Sequence, residues 1–383
     1  MLTDGALRML VLLHFHELGY SPVQLAFLFL LYEFFGVVTN LFAGLLASKT
    51  GLKRTLVYGL GLQILALVLL SCLNPAWAEW AVISYIMVAQ SLSGIAKDLT
   101  KMSSKTAVKF LVPEDQSSAL FKWVSVLTGS KNAIKGAGFF VGGFLLTVLG
   151  FQHSLLAMAL LIGLAFSGSL FLPNEIGRAK VKQTFGSLLT QGRNINVLSS
   201  ARFFLFGARD IWFVVGVPIF FSTQLNWSFT EVGTFMACWV IGYGVVQSLA
   251  PMILKKGFRL KQASGSTTTV LTIFLGIVLF AIFYFVEQGV DVQLIVISGL
   301  ALFGIVFALN SAVHSYLILH YADGDRAAVN VGFYYMANAG GRLVGTLFSG
   351  VLYQVGGLVY CLLGSLVFVI LSTISSYFLP RDK

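Results

Sequence analysis

Apolar residues run along this chain in twelve blocks, at about 1–16, 23–47, 55–73, 78–100, 117–148, 153–172, 195–223, 230–253, 266–286, 292–317, 326–351 and 355–379. Segments rich in Gly, Pro or charge separate them. Polar residues inside the blocks are sparse and do not alternate with apolar ones, so each block reads as a helix that is apolar nearly all round. Such a helix satisfies its own backbone in lipid. A bilayer core asks for about 20 residues per crossing, which eleven blocks meet. The first is short and carries Asp4 almost at its beginning, so it is read as an N-terminally shortened helix. The longest central connection, 173–194, divides six blocks from six. The pattern therefore predicts an all-α polytopic membrane protein of 12 transmembrane helices. Residues 1–172 form one six-helix bundle, 173–194 a cytoplasmic linker and 195–383 a second bundle.

Composition agrees with that reading. Of 383 residues, 57% are hydrophobic and 10% charged, where soluble domains carry about a quarter charged residues. The net charge of +10 does not point to nucleic acid, because the loop cations form no continuous stripe. They cluster at 49–54, 101–109, 178–193, 255–261, 326 and 381–383, all on one side if the blocks alternate in direction. The opposite connections carry none, so both termini are expected in the cytoplasm. No Gly-rich loop ends in Gly-Lys-Ser or Gly-Lys-Thr, which removes a nucleotide-driven motor. Cys72, Cys238 and Cys361 lie far apart with no matching His cluster, so neither a metal nor a cofactor is expected. Two bundles around a midplane site suit a carrier that alternates access, and not an enzyme.

The most informative residues are charges inside the apolar blocks. Arg8, Lys97, Lys122, Lys131, Lys135, Arg202, Arg209 and Arg342 lie there against four acids, Asp4, Glu33, Asp98 and Asp210. Each such cation costs about 2.5–3.5 kcal/mol to insert, so these must face a wet cavity, an acid or another helix. Lys131 and Lys135 share a helix face and call for a multivalent anion or a shared acid. Arg8 and Arg209 occupy corresponding helices of the two halves, where two guanidinium forks can grip phosphate-like oxygens. The alternative pairs Arg8 with Asp4 and Arg209 with Asp210. Lys97 begins a four-residue ladder through Lys101, Lys105 and Lys109, whose outer members suit topology and headgroup binding. Lys122 and Arg202 are read as nearer the cytoplasmic helix ends. Asn310 and His314, four apart, are placed to hydrogen-bond hydroxyl or carboxylate oxygens, with helix packing as the alternative. Arg8, Lys97, Lys131, Lys135, Arg209, Asn310, His314 and Arg342 thus form the candidate substrate set. Asp4, Glu33, Asp98 and Asp210 are read either as proton carriers or as charge partners.

The segment from Gly44 through Ser48, Lys49 and Gly51 to Lys53 and Arg54 resembles the cytoplasmic loop motif of the major facilitator superfamily, with Ser48 in place of the usual acid. Gly129, Gly138 and Gly142–Gly143 partly resemble its antiporter glycine motif, without the proline. A closer resemblance, over nearly the whole chain, rests on the stretches 2–10, 31–40, 91–105 and 121–135, which look like those of the ArsJ family of organoarsenical exporters. That resemblance implies efflux of 1-arseno-3-phosphoglycerate from the bacterial inner membrane, a functional link to glyceraldehyde-3-phosphate dehydrogenase, and arsenate resistance. Two other readings stay open. One is a carrier or exchanger of phosphorylated sugars or organic acids; the other is an anion-responsive sensor or scaffold that binds without net flux.

Overall fold

The computed structural model describes residues 1–50, 52–74, 76–109, 117–172, 191–257, 263–322 and 327–380; side chains at 43–50, 52, 102–109, 117–124, 257 and 327–329 lie outside that description. The described chain is helical throughout. Its helices are α1 (Leu2–Glu17), α2 (Pro22–Leu28), α3 (Leu30–Thr50), α4 (Leu52–Ser71), α5 (Glu79–Lys109) and α6 (Ser117–Leu170), then α7 (Arg193–Phe213), α8 (Gly216–Thr223), α9 (Phe229–Gly257), α10 (Gly265–Glu287), α11 (Val292–Tyr321) and α12 (Ala327–Tyr377).

Local chemistry starts and bends these helices. Ser21 caps α2 reciprocally with Gln24, with Pro22 in the first turn, and the Asp291 carboxylate accepts from Leu294 N at 3.1 Å to open α11. The predicted second block is interrupted at Phe29, and the seventh at Val214–Val215. Helices α6 and α12 are 54 and 51 residues long. At about 1.5 Å per residue each is more than twice the hydrocarbon thickness of a bilayer, so neither fits a single crossing. Each turns at glycine: Gly150 has φ 70° and ψ −178°, and Gly357 has φ 63° and ψ −155°. A side chain at either position would be strained.

Among the described residues, eight helical stretches are long and apolar enough to cross a membrane. Packing sorts them into inner and outer positions. In the stretch Arg193–Thr223, 83% of the most apolar window is buried; in Gly265–Glu287 only 28% is. The first is central and the second faces outward, where the exposed apolar side chains suit lipid. Helix α1 is almost wholly enclosed, and it presses on α6 so closely that a Cβ at Gly142 would meet Ala6 Cα at 2.8 Å. Helices α6 and α9 are in equally close contact: a Cβ at Gly136 would lie 2.9 Å from Ile241 N. Small residues allow such approaches in the absence of a hydrophobic drive between membrane helices. With an apolar exterior and backbone approaches of this kind, the buried charges are gathered inside.

Candidate functional site

Five charged side chains form a continuous chain through the interior. Arg8 on α1 donates to Glu33 on α3 at 2.5 Å, and Arg342 on α12 donates to the same carboxylate oxygen, also at 2.5 Å. Arg342 reaches with its Nε to Asp210 on α7 at 3.1 Å, and Asp210 accepts from Arg209 at 2.5 Å. Three guanidinium groups thus share two carboxylates. Glu33 and Arg342 are 309 residues apart, so this contact ties helices from the two ends of the chain.

A second set of charges adjoins the first across Tyr32. The Tyr32 hydroxyl donates to Asp4, and Asp4 also pairs with Lys135 at 3.1 Å. Lys97 lies 4.0 Å from the Tyr32 ring centroid, and Arg8 lies 5.5 Å from it on its own approach. Asp98 is shared by Lys97 at 3.9 Å and Lys101 at 3.1 Å, while Lys101 also donates to Asn40 at 3.1 Å. Two lysines share one acid here. Side chains of Glu33, Asp98 and Asp210 are each 1% exposed, so these contacts act where water screens little.

The structure therefore brings together Arg8, Lys97, Lys135, Arg209 and Arg342 from the sequence-derived set, with all four acids among them. Several expectations change. Arg8 does not pair with Asp4, its neighbour one turn away; burial turns Arg8 toward α3, and Asp4 toward Lys135 on α6. The acids act as shared charge partners in this arrangement, so the cations are matched more fully than the sequence surplus implied. Lys101 belongs to the interior network rather than to the loop series, its side chain being 15% exposed. Lys131 is half-buried, one turn before Lys135. Asn310 and His314 are fully buried, yet no side-chain nitrogen or oxygen of either has a hydrogen-bond partner among the described residues. Lys53 and Arg54 stand at the start of α4; Gly44 lies in the part of α3 whose side chains are outside the description, Gly51 lies outside the described residues, and so do the side chains of Lys105, Lys109 and Lys122.

Sequence reasoning missed Tyr32 and Asn40. Tyr32, Gly36 and Asn40 recur every four residues along α3, and that stripe within an apolar run was the signal available. It also missed a polar link between α6 and α9, in which Asn132 donates to Gln247 at 2.7 Å and Gln247 to Ser311 at 3.2 Å.

Chemically, the arginine chain is a row of guanidinium forks held by the protein's own carboxylates. A guanidinium fork binds carboxylate and phosphate with similar geometry, so an incoming oxyanion can take the place of Glu33 or Asp210.

Comparison with known proteins agrees with this architecture. No curated protein sequence matches the chain. Among solved structures, a proton:xylose symporter, XylE, bound to 6-bromo-6-deoxy-D-glucose superposes with a TM-score of 0.72 at 12% identity, covering 100% of this chain and 93% of its own. The human organic anion transporter MFSD10 (TETRAN) gives 0.65 at 15% identity, covering 91% and 83%. A bacterial homologue of the iron transporter ferroportin in its outward-facing state gives 0.65 at 14%, covering 98% and 97%. These likenesses concern the fold. The model of the Major Facilitator Superfamily matches residues 1–313, and the chain, a multi-pass carrier of a small solute and not an enzyme, belongs to that superfamily.

Proposed function

We propose that the protein carries a small multivalent organic anion, bearing phosphate or carboxylate groups, by alternating access. The observation that supports this reading is the chain Arg8–Glu33–Arg342–Asp210–Arg209, with one more guanidinium than carboxylate. In the proposed arrangement α6 and α12 each pass the membrane twice, giving twelve passes in two bundles, 1–172 and 195–383, joined by 173–194. Arg8, Glu33, Lys97 and Lys135 then belong to one bundle, and Arg209, Asp210 and Arg342 to the other. The Glu33–Arg342 contact holds the bundles together until substrate takes over the guanidinium groups. Lys97, Lys131 and Lys135 draw the anion in, and rocking of the bundles exposes it on the opposite side. A carboxylate released from its arginine is free to take a proton, which gives the carrier a route to proton antiport.

Phosphorylated sugars or organic acids satisfy this chemistry, and a carrier or exchanger of that class is the reading best supported. Efflux of 1-arseno-3-phosphoglycerate, with both termini cytoplasmic in a bacterial inner membrane and a supply from glyceraldehyde-3-phosphate dehydrogenase, is its narrower form and rests on the sequence resemblance. Uptake into inside-out vesicles separates the two. Saturable, mutually competing uptake of 3-phosphoglycerate and 1-arseno-3-phosphoglycerate, with neutral xylose excluded, is expected. At least tenfold preference for the arsenate ester selects the narrower form. Transport of xylose with no saturable organic-anion flux overturns the proposal.

A further inference from the structure

Arg202 lies two helical turns before Arg209 on α7 and is 4% exposed. Its Nε donates to Asn338 Oδ1 at 3.0 Å, and a terminal nitrogen donates to the Ser311 hydroxyl at 3.0 Å. No carboxylate among the described residues lies within ion-pairing distance of it. The Phe206 ring is shared by the two arginines, with the Arg202 Cζ 3.8 Å and the Arg209 Cζ 4.9 Å from its centroid. The two guanidinium carbons are therefore within about 9 Å of each other, both in cation–π range of one ring.

Next to Ser311 on α11 are Asn310 and His314, both 0% exposed and with all four side-chain nitrogen and oxygen atoms lacking hydrogen-bond partners among the described residues. Proteins rarely leave an amide and an imidazole buried together without partners, because each forfeits its bonds to water and gains none in return. A ligand that brings its own donors and acceptors removes that deficit.

We propose that Arg202, Asn310, Ser311 and His314 form a second seat of the substrate site, which receives the far oxyanion and an adjacent hydroxyl of a linear anion whose first oxyanion rests on Arg209 and Arg342. Phe206 is in contact with the arginine of each seat. A single inorganic oxyanion occupies only the first seat. This inference rests on the anion-carrier reading and narrows it to hydroxylated anions charged at both ends.

The test uses the full chain in nanodiscs with two probes, 3-phosphoglycerate, charged at both ends, and inorganic phosphate. Arg202→Gln should raise the Kd for 3-phosphoglycerate at least tenfold and change that for phosphate by less than twofold. Asn310→Ala removes an amide with no internal partner, so Tm should hold or rise while the 3-phosphoglycerate Kd rises at least fivefold. This second variant keeps the outcome readable if Arg202→Gln folds poorly. Equal weakening of both probes, no weakening of either, or a lower Tm for Asn310→Ala with unchanged binding overturns the second seat while leaving the carrier reading intact. Failure of the unmodified protein to bind either probe overturns the carrier reading itself, and the second seat with it.

Discussion

Asp4 and Lys135 meet at 3.1 Å between α1 and α6, and each compensates the other's charge. Removing one partner of a buried pair leaves a charge without compensation, at a cost of about 3–5 kcal/mol, whereas removing both replaces two desolvated ions by apolar packing. Lys135→Met and Asp4→Asn should therefore each lower stability by about that amount, and the double variant by less than either alone. Thermal unfolding of the four proteins in detergent checks the cycle; additive losses contradict the pairing. The residues themselves were legible in the sequence, because a charge within an apolar run is conspicuous. Their partners were not. Helical spacing pairs Arg8 with Asp4, but Glu33 on another helix wins Arg8, and only the packing of α1, α3 and α6 decides that. Tyr32 escaped notice because its ring is apolar in composition and its hydroxyl acts only once Asp4 is folded against it.

At the scale of elements, the approach of α1 to α6 sets where Arg8 and Asp4 stand. A Cβ at Gly142 would press on the backbone of Ala6, which cannot yield as a side-chain tip can. Gly142→Val should cost about 1–3 kcal/mol by overpacking and displace Arg8 from Glu33, so transport should fall together with stability. Gly163→Ala, where a Cβ meets nothing within 4 Å, serves as the control and should change neither. Equal melting temperatures and flux for the two variants would refute the close packing. Element boundaries followed the apolar pattern well at α9, α10 and α11, where a single block became a single helix. The break at Phe29 left no such trace, since it lies in uninterrupted apolar sequence, whereas the one at Val214–Val215 is marked by Gly216 and by Pro218, which has no N–H to give the Val214 carbonyl. In α6 and α12 the pattern showed a gap, and the structure filled it with one glycine-centred turn and almost no loop.

Across the whole molecule, the division of charge gives the fold its purpose. Outer helices such as α10 present apolar side chains, while α7, enclosed on nearly every side, carries Arg202, Arg209 and Asp210 into the interior. The superfamily was legible in the succession of long apolar blocks and in the segment that contains Gly44, Gly51, Lys53 and Arg54, whereas the shared carboxylates appeared only when helices distant in sequence came together. The account depends on guanidinium groups that release the protein's own carboxylates to grip an anion in transit. Counterflow of radiolabelled 3-phosphoglycerate in proteoliposomes, for the unmodified protein beside Arg209→Ala and Arg342→Gln at matched membrane insertion, tests this directly. Saturable flux that falls below about one tenth in both variants is the predicted result, a loss of more than about 1.4 kcal/mol of productive interaction. Undiminished flux through both variants would contradict it.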